Sequence, residues 1–597
     1  MTYLRMFALS SLALAGCQDA IDLDPLDEAP VVESSVRPPP ILGGTLTLLD
    51  DGTAIAADPD RDVVYVVDLD AAEVRHTIAL QAGDRPHRVV VGGDERVHVV
   101  LRGAGGFATL DVEAGSVTAR HKLCPEPRGL AFKAADRSLY LACAGGSLLH
   151  LSEAGELLER HELEPDLHDV LLVDGEVKVS LFRSAQVVGL DGAPRITIPD
   201  ADDAAARVAW RTWPIDGGIA MLHQVASKRP VPVNPDSEDI PEGGSPYGGG
   251  GSCGMGIVNT AITTITANGV HTVPLFGSNL TVDAAFAPDG LTMAMAVPGV
   301  VRPEDVVVPA ERRQTGLGRV EVDVGEPSAA VRPPVRVDSR IEPGCPDMPS
   351  EGELADFGQA TAVAYTSSGR LVVQSRQPAR LIVSDADGRE VIELGGESRF
   401  DTGHEIFHRA TDSGLSCASC HPEGTDDGHV WKFEGFGPRR TQPIDVGLAD
   451  TAPYHWDGDM QDFDVLMAEV LAHRMGGKRQ SPERGESFTR WIFAQERPAV
   501  VGDEDAALVA AGERLFADYA CGKCHDGPGL GGSRTETIAG VAKQVPTLRR
   551  ISLHPPFMHD GRAPTLEAAI RDMIATTRER DAPAEDVAAI AAYLRTL

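Results

Sequence analysis

The sequence predicts a multidomain fold: an all-β propeller of about seven blades, followed by two mainly α domains. Three observations predict it. Short strand-like runs separated by turn residues fill the chain from residue 41 to 398, among them Val63–Val67, Val97–Val100, Ser138–Leu141 and Val177–Leu181. Strand starts of one kind recur about 40 residues apart, at Arg88–Val91, Arg128–Ala131 and Asp169–Leu172, and again at Ala285–Gly290 and Ala364–Gly369. From Arg399 onward the strand alternation stops and apolar residues fall at helical spacing.

At 597 residues the chain is long enough for three or four domains. Residues 1–17 read as an export signal, with Arg5, the apolar stretch Phe7–Ala15, then Gly16-Cys17. That stretch is too short to span a bilayer. Leu14-Ala15-Gly16-Cys17 resembles a bacterial lipoprotein box, which makes Cys17 the lipidated residue and implies a cell-envelope location, facing the periplasm or the surface. Residues 18–40 are acidic and proline-rich, closing on Pro38-Pro39-Pro40, and read as a flexible tether. Residues 41–398 follow as the propeller. A period near 40 suits one blade of about four strands, and seven blades fit if Gly243–Gly256 and Pro298–Pro349 are insertions. A pair of β-sandwiches is the rival architecture. In pattern, though not in any one motif, the region resembles the YVTN-type propellers of exported bacterial proteins.

Ala506–Tyr519 places Leu508, Leu515 and Phe516 on one helical face, and a last helix starting near Asp581 and Pro583 carries Val587, Ile590, Ala591 and Leu594 at helical spacing. Such helices frame two pentapeptides, Cys417-Ala418-Ser419-Cys420-His421 and Cys521-Gly522-Lys523-Cys524-His525. Each is the attachment signature of a c-type haem: two cysteines bond the porphyrin and the histidine ligates iron. With 9 Cys and 18 His in the chain, chance alone would produce roughly 0.004 such strings. A four-cysteine zinc site or a dithiol needs no histidine after the second cysteine. The expectation is therefore two covalent haems, on Cys417, Cys420 and His421 and on Cys521, Cys524 and His525, held by two mainly α, class I-like cytochrome c domains at 399–500 and 501–597. Cys124, Cys143, Cys253 and Cys345 remain. They allow two disulfides in three connectivities, with Cys124–Cys143 preferred because about one hairpin separates them.

The two haem regions look duplicated. Gly403–Phe407 matches Gly512–Phe516, and Pro453-Tyr454-His455-Trp456-Asp457-Gly458 matches Pro556-Phe557-Met558-His559-Asp560-Gly561. Continuing that register pairs Phe463 with Leu566 and Val470 with Met573. A methionine sulfur on the second face of an iron raises its potential and blocks substrate. Met573 is the expected ligand opposite His525, with Met558 as the alternative; Val470 cannot ligate. The first iron is left open or held by another group, for which His429 is the nearest candidate.

Residues 400–597 resemble the bacterial dihaem cytochrome c peroxidase family, which includes MauG-type oxidases. The matching segments are Gly428-His429-Val430-Trp431, Gly437-Pro438-Arg439, His455-Trp456-Asp457-Gly458 and Pro556–Gly561. The resemblance implies a peroxidatic N-terminal haem capped at rest by His429, Trp456 as relay between haems, and a high-potential C-terminal haem ligated by Met573. It also implies calcium, hydrogen peroxide as substrate, and a donor protein such as a small cytochrome or cupredoxin. In one respect the chain departs from the family. Where the family carries a proton-moving glutamate, this chain reads His473-Arg474-Met475-Gly476-Gly477, and Glu469 is the nearest acid. Two other functions stay open: a pure electron carrier, and a propeller that docks a partner. The net charge of −35 argues against nucleic acid and against anionic membrane surfaces, leaving the lipid as the only membrane contact.

Overall fold

The computed structural model describes residues 26–50, 52–190, 193–201, 203–233, 245–248, 256–275, 280–288, 290, 292–299, 316–321, 359–385, 388–497, 504–538 and 540–597. The export signal with Cys17, the thiols Cys253 and Cys345, and most of both expected insertions lie outside these residues.

Seven antiparallel sheets follow one another through the N-terminal region. The first contains Leu46–Leu48, Thr53–Asp58, Val63–Asp68 and Glu73–Ala79. The others span 86–122, 127–162, 167–197, 204–275, 283–321 and 360–393. The sixth has three described strands and the rest four, each paired in chain order. In the fifth, Pro230–Val231 leaves the sheet between its second and third strands.

The burial pattern explains the sheets. Thr53–Asp58, with its run of small and branched residues, is buried throughout, as a central strand covered on both faces must be. The outermost strands Glu73–Ala79 and Ser116–Lys122 alternate exposed and half-buried residues, with charges pointing outward. Apolar clusters lie between neighbouring sheets: Ile55, Val64 and Val66 of the first meet Val97, Val99 and Leu110 of the second. The seventh packs back on the first through Val372 and Leu381 against Ala54 and Val67. Gln374 bridges the same junction, accepting from Thr45 Oγ1 at 2.8 Å and donating to the Ala57 carbonyl at 2.8 Å. These are propeller-like blades rather than two sandwiches, and the repeated starts at Arg88, Arg128, Asp169, Ala285 and Ala364 all fall in the first strand of a blade. Cys124 and Cys143 are disulfide-bonded across the first hairpin of the third.

The C-terminal region is mainly helical. In each half an early helix crosses a late one. Thr402–His408 packs on Pro482–Phe493, and Ala506–Asp518 on Ala584–Leu594. Glycine permits both crossings: a Cβ on Gly403 would lie 2.3 Å from Trp491 Cβ, and one on Gly512 would lie 1.9 Å from the Ala589 carbonyl oxygen.

Residues 26–40, expected as a free tether, are instead docked on the first half. Val32 and Thr402 exchange hydrogen bonds, Asp27 pairs with Arg409 and Arg484, and Trp491 Nε1 donates to the Pro38 carbonyl at 3.0 Å. Of the acidic residues that suggested a solvated linker, Asp27 and Glu33 are ion-pair partners here.

Candidate haem centre

A cavity of about 1080 Å3 runs between the two helical halves. All six predicted attachment residues line it: Cys417, Cys420, His421, Cys521, Cys524 and His525. The volume is at the upper end of that of a single small-molecule pocket, as a space reached by two attachment motifs should be.

These residues fit haem on three counts. None of the four cysteines is disulfide-bonded. Burial pushes the Cys417 thiol up to about 12 and raises that of Cys521, which keeps these two as neutral thiols, the form that adds to a porphyrin vinyl group. Each histidine is oriented from behind. His421 Nδ1 donates to the Thr425 carbonyl at 3.1 Å and His525 Nδ1 to the Leu530 carbonyl at 2.8 Å. This fixes the tautomer and leaves Nε2 as the nitrogen free to ligate iron. Burial lowers both imidazoles below the usual histidine range, with the carbonyl bonds opposing it, which keeps them neutral as ligands must be.

The duplication holds in three dimensions without a gap. Tyr454 bridges Met460 as Phe557 bridges Ala563. His455 and Met558 both take left-handed backbone, at φ 64° and 72°. Asp462 caps the helix that starts at Phe463, and Thr565 caps the one that starts at Leu566. Val470 and Met573 both line the cavity, and so do His455 and Met558. The second half thus offers two methionines. The first offers a valine and a histidine.

The halves also differ. The helix from Leu566 stays α-helical to Arg578, whereas the one from Phe463 becomes a π-helix over Met467–Arg474. Within it Met467, Leu471 and Arg474 are buried. Glu469, the sequence-predicted acid, is exposed and does not line the cavity, because it sits on the opposite face of that helix.

Trp456 lines the cavity between the attachment motifs. Its Nε1 donates to the Arg440 carbonyl at 2.6 Å, and its ring lies 6.3 Å from that of His559. His429 is not brought to the cavity. It is buried, stacked edge-on against Trp431, with Nε2 hydrogen-bonded to the Ser227 carbonyl at 3.0 Å. That carbonyl belongs to the fifth blade, so a contact from the propeller-like region holds the imidazole that sequence reasoning assigned to iron.

Sequence reasoning missed three cavity residues. His455 lines the space; desolvation, opposed by Asp459 and reinforced by Arg474, holds its imidazole below the ordinary histidine range. Arg474 stands within the segment that lacks a carboxylate. Tyr247 arrives from the insertion of the fifth blade; burial, opposed by the neighbouring Arg474, pushes its phenol up to about 12. The signal for His455 was legible, since it stands at the register position of the alternative ligand Met558. Tyr247 carried no local signal. Among the described residues no cluster of three or more His, Cys, Asp or Glu is placed to hold a metal ion.

A cytochrome c family model matches residues 509–597. The cytochrome c551 peroxidase of Nitrosomonas europaea is 26% identical over 304 residues, covering 39% of this chain and 87% of that protein. The cytochrome c peroxidase Ccp of Escherichia coli is 32% identical over 266 residues, 33% of this chain and 57% of its own length. MauG of Methylorubrum extorquens is 27% identical over 283 residues, covering 36% and 78%. Among solved structures, Kuenenia stuttgartiensis hydrazine synthase is similar over 62% of this chain and 99% of that one, with TM-score 0.40 and 14% identity. A streptogramin B lyase covers 58% and 93%, with TM-score 0.35 and 9% identity. The chain is thus similar to cytochrome c peroxidases and to MauG over 33–39% of its length, with a cytochrome c family match over residues 509–597 behind a propeller-like N-terminal region.

Proposed function

We propose that the protein is a dihaem oxidoreductase that reduces hydrogen peroxide to water at the first centre, with electrons entering at the second. Haem would supply the redox-active iron at both centres. The observation that carries the reading is the inequivalence of matched positions in one cavity: Met573 faces it in the second half and Val470 in the first. A sulfur ligand suits an iron that stores an electron, and a valine leaves a coordination position for a small molecule. Cys417 and Cys420, and Cys521 and Cys524, would fix each porphyrin. His421 and His525 would hold iron with their outer nitrogens committed to carbonyls. Trp456, pinned at Nε1, would keep an aromatic ring between the centres. Phe407, Leu415 and Phe488 help wall the space and exclude water.

The net reaction is hydrogen peroxide, two electrons and two protons giving two waters. A reduced one-electron donor, such as a small cytochrome or cupredoxin, would supply the electrons singly. With His429 committed to the Ser227 carbonyl, His429 acts as a ligand of the first iron only if it leaves that carbonyl. Export and lipidation at Cys17 would place the protein in the cell envelope, held to the membrane by lipid alone; among the described residues no helix is long and apolar enough to cross a bilayer.

Electron paramagnetic resonance of the oxidised and half-reduced full-length protein tests the reading. Two inequivalent haems are expected, one becoming high-spin on half-reduction and reacting with peroxide. Identical, permanently low-spin centres that ignore peroxide would instead establish a pure electron carrier. One observation favours that second reading: the nearest predicted acid, Glu469, faces solvent.

A further inference from the structure

Breaking the O–O bond of hydrogen peroxide unevenly needs a group that moves a proton from one oxygen to the other, and a positive charge near the oxygen that leaves. Glu469 can do neither from the surface. Asp457 lines the cavity but is committed to Arg439 and Lys543. Two other groups, His455 and Arg474, line the same cavity as His421. His455 presents an imidazole, which has one nitrogen that accepts and one that donates. Its Nδ1 lies 4.0 Å from Asp459, within electrostatic reach but beyond a hydrogen bond. Arg474 is 8% exposed, and its Nε is buried without a hydrogen-bond partner. Its backbone carbonyl accepts from the Tyr247 amide at 2.9 Å, which ties the blade-five insertion to this end of the π-helix. Both groups face the one cavity that His421 also lines.

We infer that His455 and Arg474 form the proton-transfer and charge-stabilising pair of the first centre, standing where the chain has no carboxylate. The inference rests on the peroxidase reading and assigns its chemistry. His455 accepts a proton from the peroxide oxygen nearer His421 and returns it to the other oxygen, which departs as water with both peroxide hydrogens. The guanidinium of Arg474 stabilises charge on that departing oxygen. The remaining oxygen takes two electrons from the haem pair and two protons from solvent and becomes the second water. The reduced donor protein refills the haems one electron at a time. Asp459 and Tyr247 are positioning residues.

The matched register sharpens the assignment. His455 occupies the place of Met558, and Val470 that of Met573. If Met573 is the sulfur ligand, the position of Val470 is the open one, and His455 flanks it rather than filling it.

The test uses full-length, haem-loaded protein carrying His455→Asn or Arg474→Lys. Asparagine tolerates left-handed backbone as histidine does, so the φ of 64° at this turn is kept while the imidazole is removed. Lysine keeps the charge and loses the planar fork. Rapid mixing of half-reduced protein with peroxide should slow by about 10²- to 10⁴-fold in H455N and by roughly 10-fold or more in R474K. Spectroscopic titration with cyanide should show weaker binding in both, since hydrogen cyanide must also lose a proton to bind as an anion. H455N with wild-type peroxide rate and cyanide affinity overturns the pair while leaving the peroxidase reading intact. So does a low-spin first haem in half-reduced wild type that turns high-spin only in H455N, because His455 is then a ligand. A wild-type protein that consumes no peroxide overturns the peroxidase reading and the pair with it. Should H455N fail to load both haems, R474K decides by the same rate and affinity comparison.

Discussion

At the scale of single residues, the two methionines that line the cavity in the second half make distinct predictions. Met573 projects from a helix, while Met558 sits in a left-handed turn. Met573→His should lower the potential of the second haem by on the order of 100 mV, since imidazole favours ferric iron relative to thioether. Redox titration checks it; an unchanged potential would move the assignment to Met558. His429 makes the converse case. Its neighbours in sequence suggested a ligand, yet its partner is the Ser227 carbonyl, 202 positions away in the chain. No local pattern could have announced that contact. The same holds for Tyr247, whose route into the cavity depends on how the fifth blade meets the π-helix.

At the scale of elements, the two halves are one design carried out twice, with glycines at matched helix crossings. Gly512→Ala should destabilise the second half by about 1–3 kcal/mol, because the new Cβ meets a backbone carbonyl that cannot swing aside. At Gly403 the obstruction includes the Trp491 side chain together with the Ser487 carbonyl, and a loss of similar size is expected. Chemical denaturation followed by haem absorbance would measure both. The repeat was legible because glycine, aspartate and aromatic residues recur at fixed spacing. The π-helix was not, since Met467–Arg474 has no residue that forbids an α-helix; its wider hydrogen bonding is set by packing on both sides. That packing is why Glu469 faces water while Arg474 faces the cavity.

At the scale of the whole molecule, the propeller-like and helical regions share a buried ionic seam. Arg102 pairs with Glu423 at 2.7 Å, Arg183 with Asp426 at 3.2 Å, and Glu126 with Arg550 at 2.7 Å. Pro230–Val231 also adds a parallel strand to Val430–Phe433. Burial opposes ionisation of Glu126, but Arg550 and Arg497 outweigh it and hold the carboxyl down at about 2. Its contribution is present above the ordinary carboxylate range and is lost as pH falls towards 2. Arg550→Ala should cost about 3–5 kcal/mol by stranding Glu126 and Asp445, measurable as a lower unfolding midpoint for the whole chain. Burial also holds His98 and His223 down at about 4. Unfolding lets both take up protons near pH 6.5, so stability falls as pH drops from about 6.5 to 4, by on the order of 3 kcal/mol for each. Calorimetry at pH 7, 5.5 and 4 would reveal it, and a flat profile would contradict the assignment.

By itself the sequence carried the two attachment pentapeptides, the blade period, the preference for a Cys124–Cys143 hairpin and the register between halves. Each is written in covalent spacing or in short-range periodicity, which a chain carries wherever it folds. Only the tertiary structure decided that residues 26–40 dock, that His429 turns to Ser227, and that His455, Arg474 and Tyr247 line one cavity. Those outcomes depend on which distant groups satisfy a buried polar atom once water is excluded, and that is settled by the packing of elements hundreds of residues apart.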